Sequence, residues 1–164
     1  MEVYLLRHGI AEDARAGQPD AERNLTPEGR DKLRRVLRRA RIAGVQPSVI
    51  LASPLRRAIE TAEIAAEVLG YKGTVARTRS LVPDAHPAEV WDEIRARKDE
   101  PAILLAGHEP QMSTSVAFLL DAPSLAVDMK KAALVRLDCE RFGPKPACVL
   151  KWMLTPALAA EPRF

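Results

Sequence analysis

Short runs of apolar residues alternate with longer amphipathic stretches along most of this 164-residue chain. The apolar runs have the length and aliphatic composition of buried strands, whereas the stretches between them repeat apolar residues at helical spacing. Six strands are predicted, near residues 2–7, 48–52, 74–79, 102–106, 131–138 and 147–154. Four helices are predicted, near residues 27–43, 54–69, 87–98 and 110–120. This alternation predicts an α/β fold with a mostly parallel sheet that is covered by helices on both faces.

Residues with special backbone preferences mark the ends of these elements. Gly44 and Gly70 stand where a left-handed cap would end the first two helices. Ser53 is expected to cap the second helix, whose first residue would be Pro54. The last two strands are expected to form an antiparallel hairpin through residues 141–144. A single domain is predicted over 1–155, followed by a tail, residues 156–164, that packs loosely or frays.

Phosphate-compatible residues stand where three of the predicted strands end. Arg7, His8 and Gly9 end or follow the first strand, Arg57 lies near the start of the helix after the second strand, and His108 follows the fourth. Open α/β sheets bind ligands at this edge, and an arginine fork is shaped for phosphate. A histidine there is a candidate nucleophile, and a glycine beside it lets backbone approach a ligand. Since a histidine at a strand end is more often structural, the phosphate site is favoured only by the three segments together.

The same segments resemble the histidine phosphatase superfamily. Its pattern of Arg-His-Gly, Ser-Pro-x-x-Arg-Ala-x-x-Thr and a late Gly-His matches residues 7–9, 53–61 and 107–108, in the family's order. The Leu-Thr-x-x-Gly of residues 25–29 and the small size resemble the short bacterial phosphohistidine phosphatases of the SixA type. This resemblance covers nearly the whole chain. It implies a three-layer α/β/α sandwich of the phosphoglycerate mutase-like kind.

The resemblance also implies a role for each matching residue. His8 would be the nucleophile, Arg7, Arg57 and His108 would form the phosphate pocket, and Gly9 would contribute to substrate binding. Glu60 departs from the pattern, because the family often has Gln there. His8 must attack as a neutral imidazole, so neighbouring arginines should lower its pKa and a backbone carbonyl should fix its tautomer. A phosphohistidine enzyme would form and then be hydrolysed by water.

The proton donor stays open at this stage, because no residue clearly matches the acid of the larger relatives. Asp84 and His86 lie in the region where those relatives keep their acid, although a residue before a proline is also typical of a helix N-cap. Glu109 is a third candidate, unless it only shapes the start of the fourth helix. Glu12 and Asp13 could contact substrate or simply be solvated.

The absence of a clear acid favours one class of substrate. An alkoxide leaving group needs protonation in the transition state, which is worth about 10²–10⁴-fold, whereas the imidazole of phosphohistidine leaves more easily. The segment between residues 81 and 102 is mostly needed for a helix and leaves too little chain for a lid. We therefore expect the substrate to be a phosphohistidine-bearing phosphotransfer protein, with inorganic phosphate as product. The alternatives are a phosphatase for a small phosphate ester or anhydride, and a non-catalytic phosphate-binding module.

Composition and charge argue against several other classes of protein. No carboxylate cluster suits magnesium, so neither a metal nor another cofactor is expected, and the arginines would take the metal's role. A net charge of +3 with 4% aromatic residues is too little to indicate nucleic-acid binding. No apolar stretch approaches membrane-spanning length and no signal peptide is recognised, so a cytoplasmic location without membrane association is expected.

Two further features concern the surface and the cysteines. Residues 30–41 carry seven arginines and lysines on one face of the first helix. This face is either a solvated surface or a docking surface for an acidic protein. Cys139 and Cys148 could face each other across the last hairpin, but a reducing compartment favours two buried thiols over a disulfide.

Overall fold

One six-stranded sheet organises the molecule, with the N-terminal strand near its middle. The computed structural model describes residues 1–162. Its strands are β1 (Glu2–Arg7), β2 (Val49–Ala52), β3 (Ala76–Arg77), β4 (Ala102–Gly107), β5 (Leu134–Asp138) and β6 (Val149–Leu154). They lie in the order β3-β2-β4-β1-β5-β6. The first four are parallel, whereas β5 and β6 run antiparallel to their neighbours. The predicted sheet and its final antiparallel pair are confirmed, with β3 shorter than predicted.

Helices cover both faces of this sheet. They are α1 (Pro27–Ile42), α2 (Arg56–Leu69), α3 (Pro87–Arg95), α4 (Gln111–Leu119) and α5 (Pro156–Ala159). Alternate residues of β1 point to opposite faces. Tyr4 and Leu6 pack in the core under α1 and α2, whereas Val3 and Leu5 pack in the core under α3 and α4. The expected three layers are therefore confirmed. None of the helices within residues 1–162 is long and apolar enough to cross a membrane.

The ends of α1 and α2 agree with the sequence in part. Gly44 and Gly70 both have a positive φ, 86° and 71°, as predicted for left-handed caps. The predicted cap of α2 is wrong, because this helix begins at Arg56 and not at Pro54. Ser53 Oγ accepts from the backbone N–H of Leu55 at 3.3 Å, ahead of the helix, and also contacts a histidine of the neighbouring strand. That contact holds the serine at the strand end, two residues too early to cap the helix.

The C-terminal tail packs more closely than predicted. Thr155 Oγ1 accepts from the N–H of Leu158 at 3.3 Å and so caps α5. Ala159 is 1% exposed in the core shared with α1. The expectation of a loose tail is wrong for α5, because the small alanine allows close packing. Residues 163–164 of the predicted tail lie outside the described residues.

Cys139 and Cys148 form a disulfide, which contradicts the expected pair of thiols. Cys139 follows β5 directly, and Cys148 directly precedes β6, its antiparallel neighbour. This pairing brings the two Cα atoms to 4.6 Å, a separation that a disulfide spans. The expectation of thiols rested on an assumed compartment and not on the geometry of the hairpin, which the sequence had indicated correctly.

Candidate active site

His8 and His108 meet at the carboxyl ends of the adjacent parallel strands β1 and β4. Arg7 is in register with Gly107, and the N–H of His8 donates to the carbonyl of Gly107 at 2.9 Å. Each histidine directly follows its strand, so the pairing brings their imidazole rings to 5.1 Å between centroids. Both side chains are buried, at 8% and 1% relative exposure. The structure thus joins two segments that are a hundred residues apart in the chain.

The environment of His8 keeps its imidazole neutral and fixes its tautomer. Burial is the main cause that lowers the pKa of His8 to about 4, and the charges of Arg57 and Arg7 lower it further. The sequence predicted the effect of the arginines, but burial is the larger cause. His8 Nδ1 lies 2.7 Å from the carbonyl oxygen of Gly9. A neutral imidazole must donate from Nδ1 to this acceptor, so Nε2 carries a free lone pair.

Arg57 lies in the first turn of α2 and is 5% exposed. Its Nη1 donates to the backbone oxygen of Asp20 at 3.0 Å, and its Nη2 contacts Asp20 Oδ2 at 3.2 Å. Desolvation raises the pKa of Asp20, but the charge of Arg57 and the contacts with Arg57 and Arg23 lower it by more. Asp20 is therefore a carboxylate at neutral pH. Sequence reasoning missed Asp20, since the loop after β1 has no periodicity from which to place it. Glu12 and Asp13 lie on the same loop, half-buried and exposed respectively.

Three buried nitrogen atoms around His8 have no hydrogen-bond partner within residues 1–162: Arg7 Nε, Arg57 Nε and His108 Nδ1. Arg7 is anchored at its other end, where Nη1 donates to the carbonyl of Met129 at 2.8 Å. Buried polar groups are normally paired, and leaving several unpaired in one place is costly. Two guanidiniums and an imidazole can together donate to the oxygens of a tetrahedral anion. Within the same described residues, no three His, Cys, Asp or Glu side chains cluster closely enough to hold a metal ion.

Ser53 holds His108 in the orientation that this arrangement needs. Its Oγ lies 2.8 Å from His108 Nε2. Oγ accepts from the Leu55 N–H and can donate its own hydrogen to Nε2. With that donation, the proton of a neutral imidazole lies on Nδ1, from which it can be donated to an anion. Burial, and then the charges of His8 and Arg57, lower the pKa of His108 to about 3. The sequence placed Ser53 in the family pattern but assigned it to a helix cap.

Thr61 connects the loop after β1 to α2. Its Oγ1 donates to the carbonyl of Arg57 at 2.7 Å and accepts from the N–H of Gly9 at 3.2 Å. A Cβ at Gly9 would lie 3.2 Å from the carbonyl of Gly29. The missing side chain therefore lets the start of α1 approach this loop, and a contact between Gly9 and substrate stays a prediction.

Two of the candidate proton donors are engaged in helix starts. His86 is the N-cap of α3, where its Nδ1 accepts from the N–H of Ala88 at 3.0 Å. Glu109 accepts from the backbone N–H and from the hydroxyl of Ser113, both at 2.7 Å, at the start of α4. Asp84 is exposed in the loop before α3. The structure does not bring these three side chains into hydrogen-bond contact with His8 or His108.

Known proteins resemble both the sequence and the fold. Residues 3–81 match the model of the histidine phosphatase superfamily, branch 1. An uncharacterized protein of Picosynechococcus sp. is 32% identical over 139 residues, which is 84% of each chain. The protein histidine phosphatase SixA complexed with tungstate has a TM-score of 0.85 at 24% identity, covering 96% of this chain and 98% of that one. A putative alpha-ribazole-5'-P phosphatase from Escherichia coli has a TM-score of 0.69 at 18% identity, covering 96% and 98%.

The matched region contains much of the site described above. Residues 3–81 include β1 with Arg7 and His8, and the start of α2 with Arg57. The solved structures share the fold over 96% of the chain, and His108 directly follows β4 of this fold. The solved structures show that the chain shares their fold, and the match to the family model shows that it belongs to the histidine phosphatase superfamily.

Proposed function

We propose that this protein removes the phosphoryl group from a phosphohistidine of another protein, by way of a covalent phosphohistidine on its own His8. The observation that carries the proposal is the neutral His8 with a free Nε2 beside the unpartnered nitrogens of Arg7, Arg57 and His108. A nucleophile surrounded by donors is suited to phosphoryl transfer, in which catalysis is mostly positioning and electrostatic stabilisation.

The proposed reaction has two displacements at phosphorus. In the first, the lone pair of His8 Nε2 forms a new P–N bond while the P–N bond of the substrate breaks. The electron pair of the broken bond stays on the departing ring, whose other nitrogen is protonated, so this ring leaves as a neutral imidazole. His8 then carries the phosphoryl group on Nε2 and its proton on Nδ1. Arg7, Arg57 and His108 donate to the equatorial oxygens and balance their charge, the role that metal ions have in other phosphoryl-transfer enzymes. In the second, water attacks the phosphoryl group on His8 and releases inorganic phosphate and neutral His8.

The surroundings of the site support phosphohistidine as the substrate. An imidazole leaves with little help from an acid, whereas an alkoxide needs a proton donor. His86 and Glu109 are engaged in helix starts, and the low pKa of Asp20 makes it a poor donor. The higher TM-score with a structure named as a protein histidine phosphatase points the same way. We also propose that the reaction needs no metal ion.

A phosphatase for a small phosphate ester is the second candidate. It is favoured by the similar fold of a protein that is named as a putative alpha-ribazole-5'-P phosphatase. A module that only binds phosphate is less well supported, because binding needs the arginines but not a histidine held neutral with a free Nε2.

The substrate is tested by measuring turnover of a phosphohistidine-bearing phosphotransfer protein beside a panel of small phosphate esters. We expect the phosphoprotein to be hydrolysed far more efficiently, with an acid-labile, base-stable phosphoenzyme that is absent from His8→Ala. Chelators should have no effect. Efficient hydrolysis of an alkyl phosphate with none of the phosphoprotein would favour the second candidate, and turnover of neither would favour the binding module.

The leaving-group argument has its own test in Asp84→Asn, His86→Gln and the double variant. Turnover of the phosphoprotein, and the already low turnover of an alkyl phosphate, should both fall only slightly, because neither side chain contacts His8 or His108. Far-UV circular dichroism would check that α3 keeps its start in the His86 variants. An equal, large loss on both substrates would identify an essential general acid and remove this support for phosphohistidine.

A further inference from the structure

A cleft of about 870 Å³ opens directly beside the candidate active site. Arg7 belongs to both, so the cleft begins where the proposed phosphate pocket ends. Its lining is mostly apolar and includes Met153 of β6 and Pro156 of α5. The lining of the cleft contains one carboxylate, that of Asp128, and four cationic side chains. These cationic side chains are those of Arg7, Lys32, Lys130 and Lys131.

The turn before β5 holds two of these lysines against the site. The N–H of Ala132 donates to the carbonyl of His8 at 3.0 Å, and Arg7 donates to the carbonyl of Met129 at 2.8 Å. Lys130 and Lys131 lie between these two anchors. Ala132 has a φ of 63°, a left-handed conformation that is uncommon for alanine, so the surrounding contacts must maintain the turn.

The lysines keep much of their capacity to bind an anion. Lys130 pairs with Asp128 at 2.9 Å, and Lys32 pairs with Glu28 at 2.9 Å. Both pairs are between exposed side chains, where water and salt weaken the attraction. Lys131 has no ion-pair partner within residues 1–162. An acidic ligand in the cleft would therefore find an excess of positive charge.

We propose that this cleft binds an acidic segment of the protein that carries the phosphohistidine. This inference rests on the proposed function and specifies its partner. Charge complementarity favours acidic side chains opposite the lysines, and the apolar part of the lining favours a segment with one apolar face. A small ligand is usually enclosed over most of its surface, whereas Lys130 stands 66% exposed at the rim. The lysines belong to α1 and to the turn before β5, so they suit a surface broader than one phosphate group.

The test reverses charge in the cleft with the double variant K32E/K130E, which leaves Arg7 and Lys131 in place. We expect kcat/KM on an acidic phosphotransfer protein to fall about tenfold, mainly through KM, and its dependence on ionic strength to weaken. Turnover of p-nitrophenyl phosphate should change much less. Lys72, exposed in the segment that follows the C-terminal end of α2, provides the control K72E. It reverses one charge where the cleft variant reverses two, and it should leave both activities unaltered.

Binding is measured in parallel by titrating His8→Ala with the phosphorylated protein, so that the cleft is tested independently of turnover. Weaker binding to H8A/K32E/K130E than to H8A/K72E supports the proposed role of the cleft. This holds even if the wild-type protein does not dephosphorylate the substrate, because a lack of turnover refutes only the proposed function. Equal binding to the two variants overturns the inference. An equal loss of kcat/KM on both substrates also overturns it, because the lysines would then serve the phosphate pocket.

Discussion

At the scale of single residues, the site is distinguished by which polar atoms are left without partners. Arg57 is held by Asp20 through both terminal nitrogens, and this leaves its Nε unpaired. The same contact fixes the plane of the guanidinium before any ligand arrives. Groups that are oriented in advance need little reorganisation as charge develops, which is the main source of electrostatic stabilisation in enzymes.

Replacing this guanidinium should therefore be far more damaging than replacing its neighbour. We expect Arg57→Ala to lower kcat/KM on the preferred substrate by about 10²-fold or more, as the loss of a transition-state donor does. Arg56→Ala should lower it by less than about twofold, because that side chain is exposed and outside the cluster. Steady-state kinetics of the two variants measures the difference, and equal losses would place the pocket elsewhere.

The low pKa of His8 predicts the pH dependence of the nucleophile. Burial holds that pKa at about 4, so the imidazole is neutral at every pH well above this value. The rate of phosphorylation of His8, followed by rapid quench in a single turnover, should show no acid-side loss from about pH 7 down to pH 5 and should decline only toward pH 4. An acidic inflection near the ordinary histidine value of about 6.5 would contradict the burial argument.

At the scale of elements, the sequence predicted the strands and the residues at their ends, because period and motif are local properties. It could not predict the hydrogen bonds from Arg57 to Asp20, since the loop after β1 has neither a periodic pattern nor a motif that would place Asp20. The sequence also could not show whether the basic face of α1 is solvated or docks another protein, because it does not show that α2 packs against this face. Arg30 pairs with Glu60 and Arg34 with Glu67, so part of this face binds α2 and is not free for docking. In the first pair, Glu60 is the residue that stands where the family pattern often has glutamine.

Thr61 is the side chain whose loss should separate the β1 loop from α2. Thr61→Val keeps the shape but removes the acceptor of the buried Gly9 N–H. An unsatisfied buried donor costs about 1–3 kcal/mol, which urea unfolding would measure as a lower free energy of unfolding. Thr61→Ser restores the hydroxyl and should recover most of the loss in stability and activity. Equal stability of the valine variant and wild type would show that this hydrogen bond is dispensable.

At the scale of the whole molecule, two buried neutral histidines make the fold sensitive to acid. The pKa values of His8 and His108 fall to about 4 and about 3 in the folded state. In the unfolded chain each returns to about 6.5 and takes up a proton at a higher pH. Between these values the unfolded state binds more protons, so the free energy of unfolding rises with pH. This stability is complete above about pH 6.5 and is lost as the pH falls toward the folded values.

The double variant His8→Asn, His108→Asn should show a flatter dependence of stability on pH. Urea unfolding at several pH values between about 4.5 and 7.5 would measure the free energy for both proteins. Wild type should lose stability steadily toward the acid end, whereas the variant should lose less over the same interval. Parallel curves would show that other groups, such as Asp20 or Glu93 with their lowered pKa values, cause the acid sensitivity.

Gly29, in the first turn of α1, is a position where the fold leaves no room for a side chain. A Cβ at this position would overlap the carbonyl of Ile10, two residues after the nucleophile, and backbone cannot move aside as a side chain can. A Cβ added at Gly143, in contrast, would have no atom within 4 Å. In a library that samples every amino acid at every position, selected for activity, Gly29 should retain almost no substitutions, alanine included. Gly143 should accept many. The loop that carries His8 can therefore pack against α1 only because position 29 has no Cβ.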